Sequence, residues 1–384
     1  MSVLDAERLR ERAAQQTGLS GWGDLPFEAG LEALLWALEH EAGLGEQAKA
    51  AAAAATVSVL TKRLRLVEDR RQHPDIAAEE IVAPIVVLGL PRSGTTHLHS
   101  LLAQRDGSRV PLQWEMSLPS PPPEAATYET DPRIVEVQAA LDARPGQAEL
   151  MAIHPFGATR AEQCIGLLDW SFTNSAFLAA WRMPSYYEWF LATDHRPAYE
   201  HHRRMLQQLQ WRVPGDWVLK WPKHVYSMGA LLATYPDARV VWTHRDPGQV
   251  VPSVVDFVGT VRRMSPGFDP VRFGAEWSKV EEVGLLRGLA ERDRLVPPER
   301  VIDIHYNEIV ADPEGAVVKI YQYFGMDVDE DGRKRIRQFQ TDNPQTKHGR
   351  HTYAAEDFGL SVEGLRERFG TYIDRFGVEP DRAH

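Results

Sequence analysis

The sequence predicts an α/β fold: a P-loop-like core in which a central parallel β-sheet is flanked by helices, preceded by a helical N-terminal extension. Three observations carry that expectation. The apolar, β-branched stretch Ile81 to Leu90 runs into a glycine-containing turn at Gly89 to Gly94 and then into the helix-forming Thr95 to Gln104, a strand–loop–helix order. Three later segments, Trp217 to Lys220, Arg239 to Thr243 and Arg300 to Ile304, have strand character between helical stretches, the alternation of a parallel sheet covered on both faces. From Leu4 to Glu68 the chain uses strong helix formers, including the run Ala50 to Ala55, with Gly and Pro clustered only at 18–30 and 43–45. No internal repeat or low-complexity tract separates these parts, so the expected organisation is a helical segment at 1–80 packed on an α/β domain at 81–384.

Composition limits the function. With 384 residues, 43% hydrophobic and 25% charged, the chain can build a sizeable core. A net charge of -11 argues against an extended nucleic-acid footprint, which needs a basic face, so any phosphate site is local. The single cysteine, Cys164, forms no intrachain disulfide and excludes a four-cysteine zinc site, which fits a reducing cytoplasm. The N-terminal MSVLDAERLRERAAQQ lacks the apolar core of an export signal. The apolar run at 81–91 is about half the roughly 20 residues of a membrane span, so no spanning helix is expected.

The string Gly89-Leu-Pro-Arg-Ser-Gly94-Thr95-Thr96 has the glycine spacing of a Walker A loop but places Thr95 where that loop has its lysine. Its one cation is Arg92. Backbone N–H groups of such a turn, opening a helix, form a concave anion site, with Arg92, Ser93, Gly94, Thr95 and Thr96 as the candidate contacts. A second candidate lies in RVVWTHRDPGQVVPS at 239–253. Arg245 leaves the end of a strand and Ser253 follows eight residues on, a cation and a hydroxyl suited to a phosphate monoester, while Asp246 is placed to cap the next helix.

Together these two strings resemble the PAPS-dependent sulfotransferases, and most closely their bacterial branch related to the tyrosylprotein-type enzymes. The similarity extends to WVLKWPKH at 217–224, DPEGAVVKIYQYFG at 312–325 and KHGRHTYAAEDFGL at 347–360. The resemblance implies a donor, 3'-phosphoadenosine 5'-phosphosulfate (PAPS), whose 5'-phosphosulfate is held by PRSGTT and whose 3'-phosphate is held by Arg245 and Ser253. Its product would be 3'-phosphoadenosine 5'-phosphate. Lys347, Arg350 and His351 are expected on a late loop that closes on the donor. The competing reading, a P-loop nucleotide-dependent kinase, requires magnesium and the lysine that Thr95 replaces.

Sulfuryl transfer to an acceptor hydroxyl needs a base for the proton and cations on the departing phosphate. Arg92 serves the leaving group. Glu115, in QWEM, matches the position of the catalytic Glu of the tyrosylprotein-type enzymes and is the expected base. His224 is the rival, by analogy with the cytosolic enzymes. Lys220 or Lys223 is placed to stabilise the bridging oxygen. His154 and Glu162 are further candidates facing the acceptor, whereas His97 and His99 on the loop's helix are expected to be packed or exposed. No HEXXH or EF-hand pattern is present, so no metal is expected. The aromatic stretch from Trp170 to Phe190 is either core or the wall of a pocket for a small-molecule hydroxyl acceptor of aromatic or lipid-like character.

Overall fold

The structure, a computed structural model, describes residues 2–143, 157–263, 267–343 and 354–381. Five strands form one parallel sheet: β1 (Ile85–Gly89), β2 (Ser108–Arg109), β3 (Asp216–Lys220), β4 (Arg239–His244) and β5 (Val301–His305), in the order β2-β3-β1-β4-β5. The central strand β1 pairs Ile85 with Val218 on one side and with Arg239 on the other. All five of its residues are buried, as the charge-free sequence demands.

Alternation along each strand divides the core in two. Val86, Leu88, Leu219, Val240 and Trp242 face one cluster, while Ile85, Val87, Val218, Val241 and Ile304 face the other. The first cluster is shared with the N-terminal helices α1 (Ala6–Thr17), α2 (Glu28–His40) and α3 (Glu46–Gln72), through Leu9, Leu34 and Leu60. The second receives Leu98, Leu101 and Leu102 of α4 (Thr95–Leu102). Buried Arg63 on α3 donates to the Trp22 carbonyl at 2.9 Å and the Trp170 carbonyl at 3.3 Å, so the N-terminal layer is tied to the aromatic segment by hydrogen bonds as well as by apolar contact.

The differences from the sequence reading have local causes. The first strand begins at Ile85 rather than Ile81, because Ala83 takes a left-handed φ of 42° and Pro84 has no N–H to give to a ladder. The short β2 has no strand signal of its own and exists because Ser108 and Arg109 align with Asp216 and Trp217. Among the described residues, no helix is long and apolar enough to cross a membrane.

The strand order positions the site. The chain leaves β1 toward β2 on one side of the sheet and leaves β4 toward β5 on the other, so the carboxyl ends of β1 and β4 diverge and open a crevice between them. Gly89 closes the strand at φ 138°, and a Cβ there would lie 2.5 Å from the Thr243 carbonyl oxygen and 2.7 Å from its hydroxyl. We predict that Gly89→Ala lowers unfolding stability by about 2 kcal/mol or more, through positive-φ strain and backbone overlap. Urea denaturation checks this; an unchanged midpoint would mean that the ends of β1 and β4 separate without cost.

Candidate active site

The loop after β1 takes its shape from the backbone. Arg92 and Gly94 both have positive φ, 66° and 89°, which turns the chain sharply into α4. The Ser93 hydroxyl is buried and hydrogen-bonded to the Leu90 carbonyl at 2.5 Å and the Thr243 hydroxyl at 2.6 Å. The Ser93 side chain therefore fixes the loop to β4. Thr95 is buried, whereas Thr96 is exposed. The first-turn N–H groups of Thr95, Thr96 and His97 have no carbonyl of α4 in reach, which leaves the positive end of the helix as an anion cradle.

Two groups of side chains flank this loop. On the β4 side, the Arg92 Nε donates to the Ser253 hydroxyl at 3.2 Å, and Arg245 donates from Nη1 to the Arg92 carbonyl at 2.6 Å. The Arg245 guanidinium lies 3.7 Å from the centroid of the Tyr306 ring and is held by Asp381 at 2.6 Å. Asp246 accepts the Gly248 N–H at 2.9 Å and starts α5 (Pro247–Arg262), as its sequence position predicts; this helix carries Ser253. Arg92, Arg245 and Ser253, separated by as many as 161 residues, thus form one cluster.

On the β3 side, Lys220 ends its strand with 1% of its surface exposed and donates from Nζ to the Thr96 hydroxyl at 3.2 Å. Burial lowers its pKa to about 8, with the negative charge of Glu162 acting in the opposite sense. Glu162 reaches this place through a bridge between Leu112 and Ala161 and an N–H bond to the Pro111 carbonyl at 2.9 Å. Glu162 and Lys220, both candidates from the sequence, are near enough for the charge of one to act on the other.

The two expected bases are both enclosed by protein. Glu115 is fully buried: one carboxylate oxygen is ion-paired with Arg109, the other accepts the Leu112 N–H at 3.0 Å, and Tyr128 adds a further hydrogen bond. Burial raises its pKa, against the pull of Arg109. Its visible work is to close the turn Gln113–Ser117. His224 is equally buried, with Nδ1 bonded to the Tyr199 hydroxyl at 2.5 Å, and burial and neighbouring His202 hold its pKa well below the ordinary value. Lys223 pairs with Glu281 at 2.5 Å, and His99 packs against the Val218 carbonyl at 2.9 Å. His154, Lys347, Arg350 and His351 fall outside the described residues. Trp170, Phe172, Tyr186 and Phe190 are buried in the main core, and Phe177, Trp181, Tyr187 and Trp189 pack half-buried against it.

Comparison with known proteins decides the class. Residues 84–330 match the family described as the sulfotransferase family. The chain belongs to that family. It is 27% identical over 311 residues, 79% of this chain and 77% of the relative, to the omega-hydroxy-beta-dihydromenaquinone-9 sulfotransferase Stf3 of Mycobacterium bovis. It superimposes on the crystal structure of sulfotransferase STF1 from Mycobacterium tuberculosis H37Rv with a TM-score of 0.83 at 30% identity, covering 96% of this chain and 98% of the other. STF9 from Mycobacterium avium gives 0.90 at 26% identity, covering 99% and 98%. The protein is a sulfotransferase, and the kinase alternative, already weakened by Thr95, is not favoured.

The lowered pKa of Lys220 generates a pH prediction for this sulfotransferase. Lys220 is cationic below about pH 8 and loses its proton above it, so a role for the cation makes kcat/KM fall as pH rises through about 8. Lys220→Arg, whose side chain stays charged, should lack that alkaline limb, and Lys220→Ala should be slower by about 100-fold at neutral pH. A limb unchanged in the arginine variant would assign it to another group.

Proposed function

We propose that this sulfotransferase takes its sulfuryl group from PAPS and passes it to a hydroxyl on an apolar, lipid-like acceptor, with Glu162 as the general base. The observation that carries the donor assignment is the convergence of Arg245 and Ser253 on Arg92 of the loop, which sets a second anion site beside the first. The residues suit the donor: open amides and Arg92 for a 5'-phosphosulfate, and a guanidinium with a hydroxyl for a 3'-phosphate monoester. PAPS supplies an activated sulfuryl group and a 3'-phosphate as a handle. A 3'-phosphate on Arg245 competes with the Asp381 carboxylate that holds it in this structure.

Each residue then has a defined task. The amides of Gly94 to Thr96 and the Arg92 guanidinium hold the 5'-phosphosulfate, and Lys220, anchored on Thr96, offsets charge on the bridging oxygen as the S–O bond breaks. Glu162 receives the proton of the acceptor hydroxyl as its oxygen bonds to sulfur. Glu162 is chosen over Glu115 because its charge acts on Lys220, which donates to Thr96 of the phosphate loop; its Oε1 also accepts the Gln163 N–H at 2.8 Å. A lipid-like acceptor is supported by the named acceptor of the Stf3 relative and by the half-buried aromatic residues around Trp181 and Trp189. A single buried cysteine suits a cytoplasmic setting.

Incubation with radiolabelled PAPS and either a hydroxylated isoprenoid quinone or a free sugar tests the reading; label on the quinone is expected, and label on the sugar alone overturns the acceptor class. Glu162→Gln should slow turnover by about 100-fold or more while retaining the affinity for 3'-phosphoadenosine 5'-phosphate. Glu115→Gln should instead cost about 3 kcal/mol of stability by leaving Arg109 buried without its partner, and the folded fraction should turn over. A fully active Glu162→Gln beside a folded but inactive Glu115→Gln returns the base to Glu115.

A further inference from the structure

Beside the end of β3, where the Cys164 N–H meets the Lys220 carbonyl, three side chains from separate parts of the chain approach one another. Cys164 Sγ, a ring nitrogen of His202 and a ring nitrogen of His224 all lie within 4.8 Å of one another, and all three residues are buried. The Nε2 atoms of both histidines lack any hydrogen-bond partner, although the two residues are 0% exposed. Neither is bonded to the sulfur. A buried polar atom without a partner is costly, so two such atoms on rings gathered beside a thiol point to something held among them.

The outer partners complete the pattern. The Nδ1 of His224 is bonded to the Tyr199 hydroxyl at 2.5 Å and the Nδ1 of His202 to the Tyr235 hydroxyl at 2.7 Å. When each Nδ1–H donates to its phenol, the tautomer is fixed and both Nε2 lone pairs are turned inward, the arrangement by which outer partners orient metal-binding histidines. The backbone fixes the sulfur as well, since the Cys164 N–H donates to the Lys220 carbonyl at 2.9 Å.

We propose that Cys164, His202 and His224 form a buried site for a single cuprous ion. A thiolate with two imidazoles is a soft, three-ligand set. No carboxylate belongs to the group, and the Lys220 ammonium is near enough to interact with Cys164. Cu(I) with one thiolate is neutral, whereas Zn(II) would leave a buried positive charge beside that ammonium. Binding releases the Cys164 proton to solvent and changes no oxidation state. Its place in the fold, at the root of Lys220 and two residues from Glu162, gives the ion a structural part in holding those two residues.

The test uses the full chain, stripped with a chelator under anaerobic reducing conditions and titrated with Cu(I) in competition with a chromogenic chelator. One ion per chain is expected, with a rise in melting temperature. Cys164→Ser and His202→Gln should each bind about 100-fold more weakly or worse, and Tyr235→Phe, which keeps the core intact, about tenfold more weakly. Failure to retain one equivalent, undiminished affinity in folded Cys164→Ser, or tighter binding of Zn(II) than of Cu(I) would each overturn the proposal.

Discussion

The close approach of Gly89 to Thr243 is the constraint on which the rest of the site depends. Two adjacent parallel strands, β1 and β4, end side by side, and only a residue without a Cβ lets the first chain turn so near the carbonyl of the second. That contact sets the height of the loop, lets the Ser93 hydroxyl reach Thr243, and brings Arg245, two residues past Thr243, under the Arg92 carbonyl. The strand order supplies the space, since the two chains then depart in opposite directions. The shape of the loop is thus a product of backbone geometry first and of side-chain contacts second.

Electrostatics explains how a chain of net charge -11 accommodates an anionic donor. Positive charge is gathered locally at the loop, where Arg92, Arg245 and Lys220 meet the open amides of α4. The three cations are treated differently. Arg92 is exposed, Arg245 is stacked on Tyr306 and balanced by Asp381, and Lys220 is buried enough to titrate near neutrality. Guanidinium groups keep their charge through such differences, whereas an ammonium does not, which makes Lys220 the one of the three whose charge is most sensitive to burial.

The sequence disclosed those parts of the site that depend on local patterning. The charge-free β1, the glycine loop and the helix after it are short-range features, and the structure has them in that order, with β1 shortened to Ile85–Gly89; Arg245 and Ser253 each bond Arg92. Features made by long-range packing were not legible. Glu115 has the right motif, yet Arg109 and Tyr128 enclose it, and no spacing reveals that enclosure. His224 follows a strand end as a catalytic residue would, but its ring turns inward toward His202, which comes from a different helix. Glu162, which the sequence offered only as a further candidate, is positioned by an isolated bridge that carries Ala161 beside Leu112, and Cys164 meets two histidines by the same return of the chain.

The account's central claim is that the crevice recognises a nucleotide by its 3'-phosphate as well as its 5' end. Calorimetric titration with 3'-phosphoadenosine 5'-phosphate and with ADP, each with and without magnesium, tests this most directly. The account predicts magnesium-independent binding of the 3'-phosphorylated nucleotide, tighter than ADP by about 1.5 to 3 kcal/mol, the difference vanishing in Arg245→Ala. Equal affinity for the two nucleotides, or binding that requires magnesium, would contradict it.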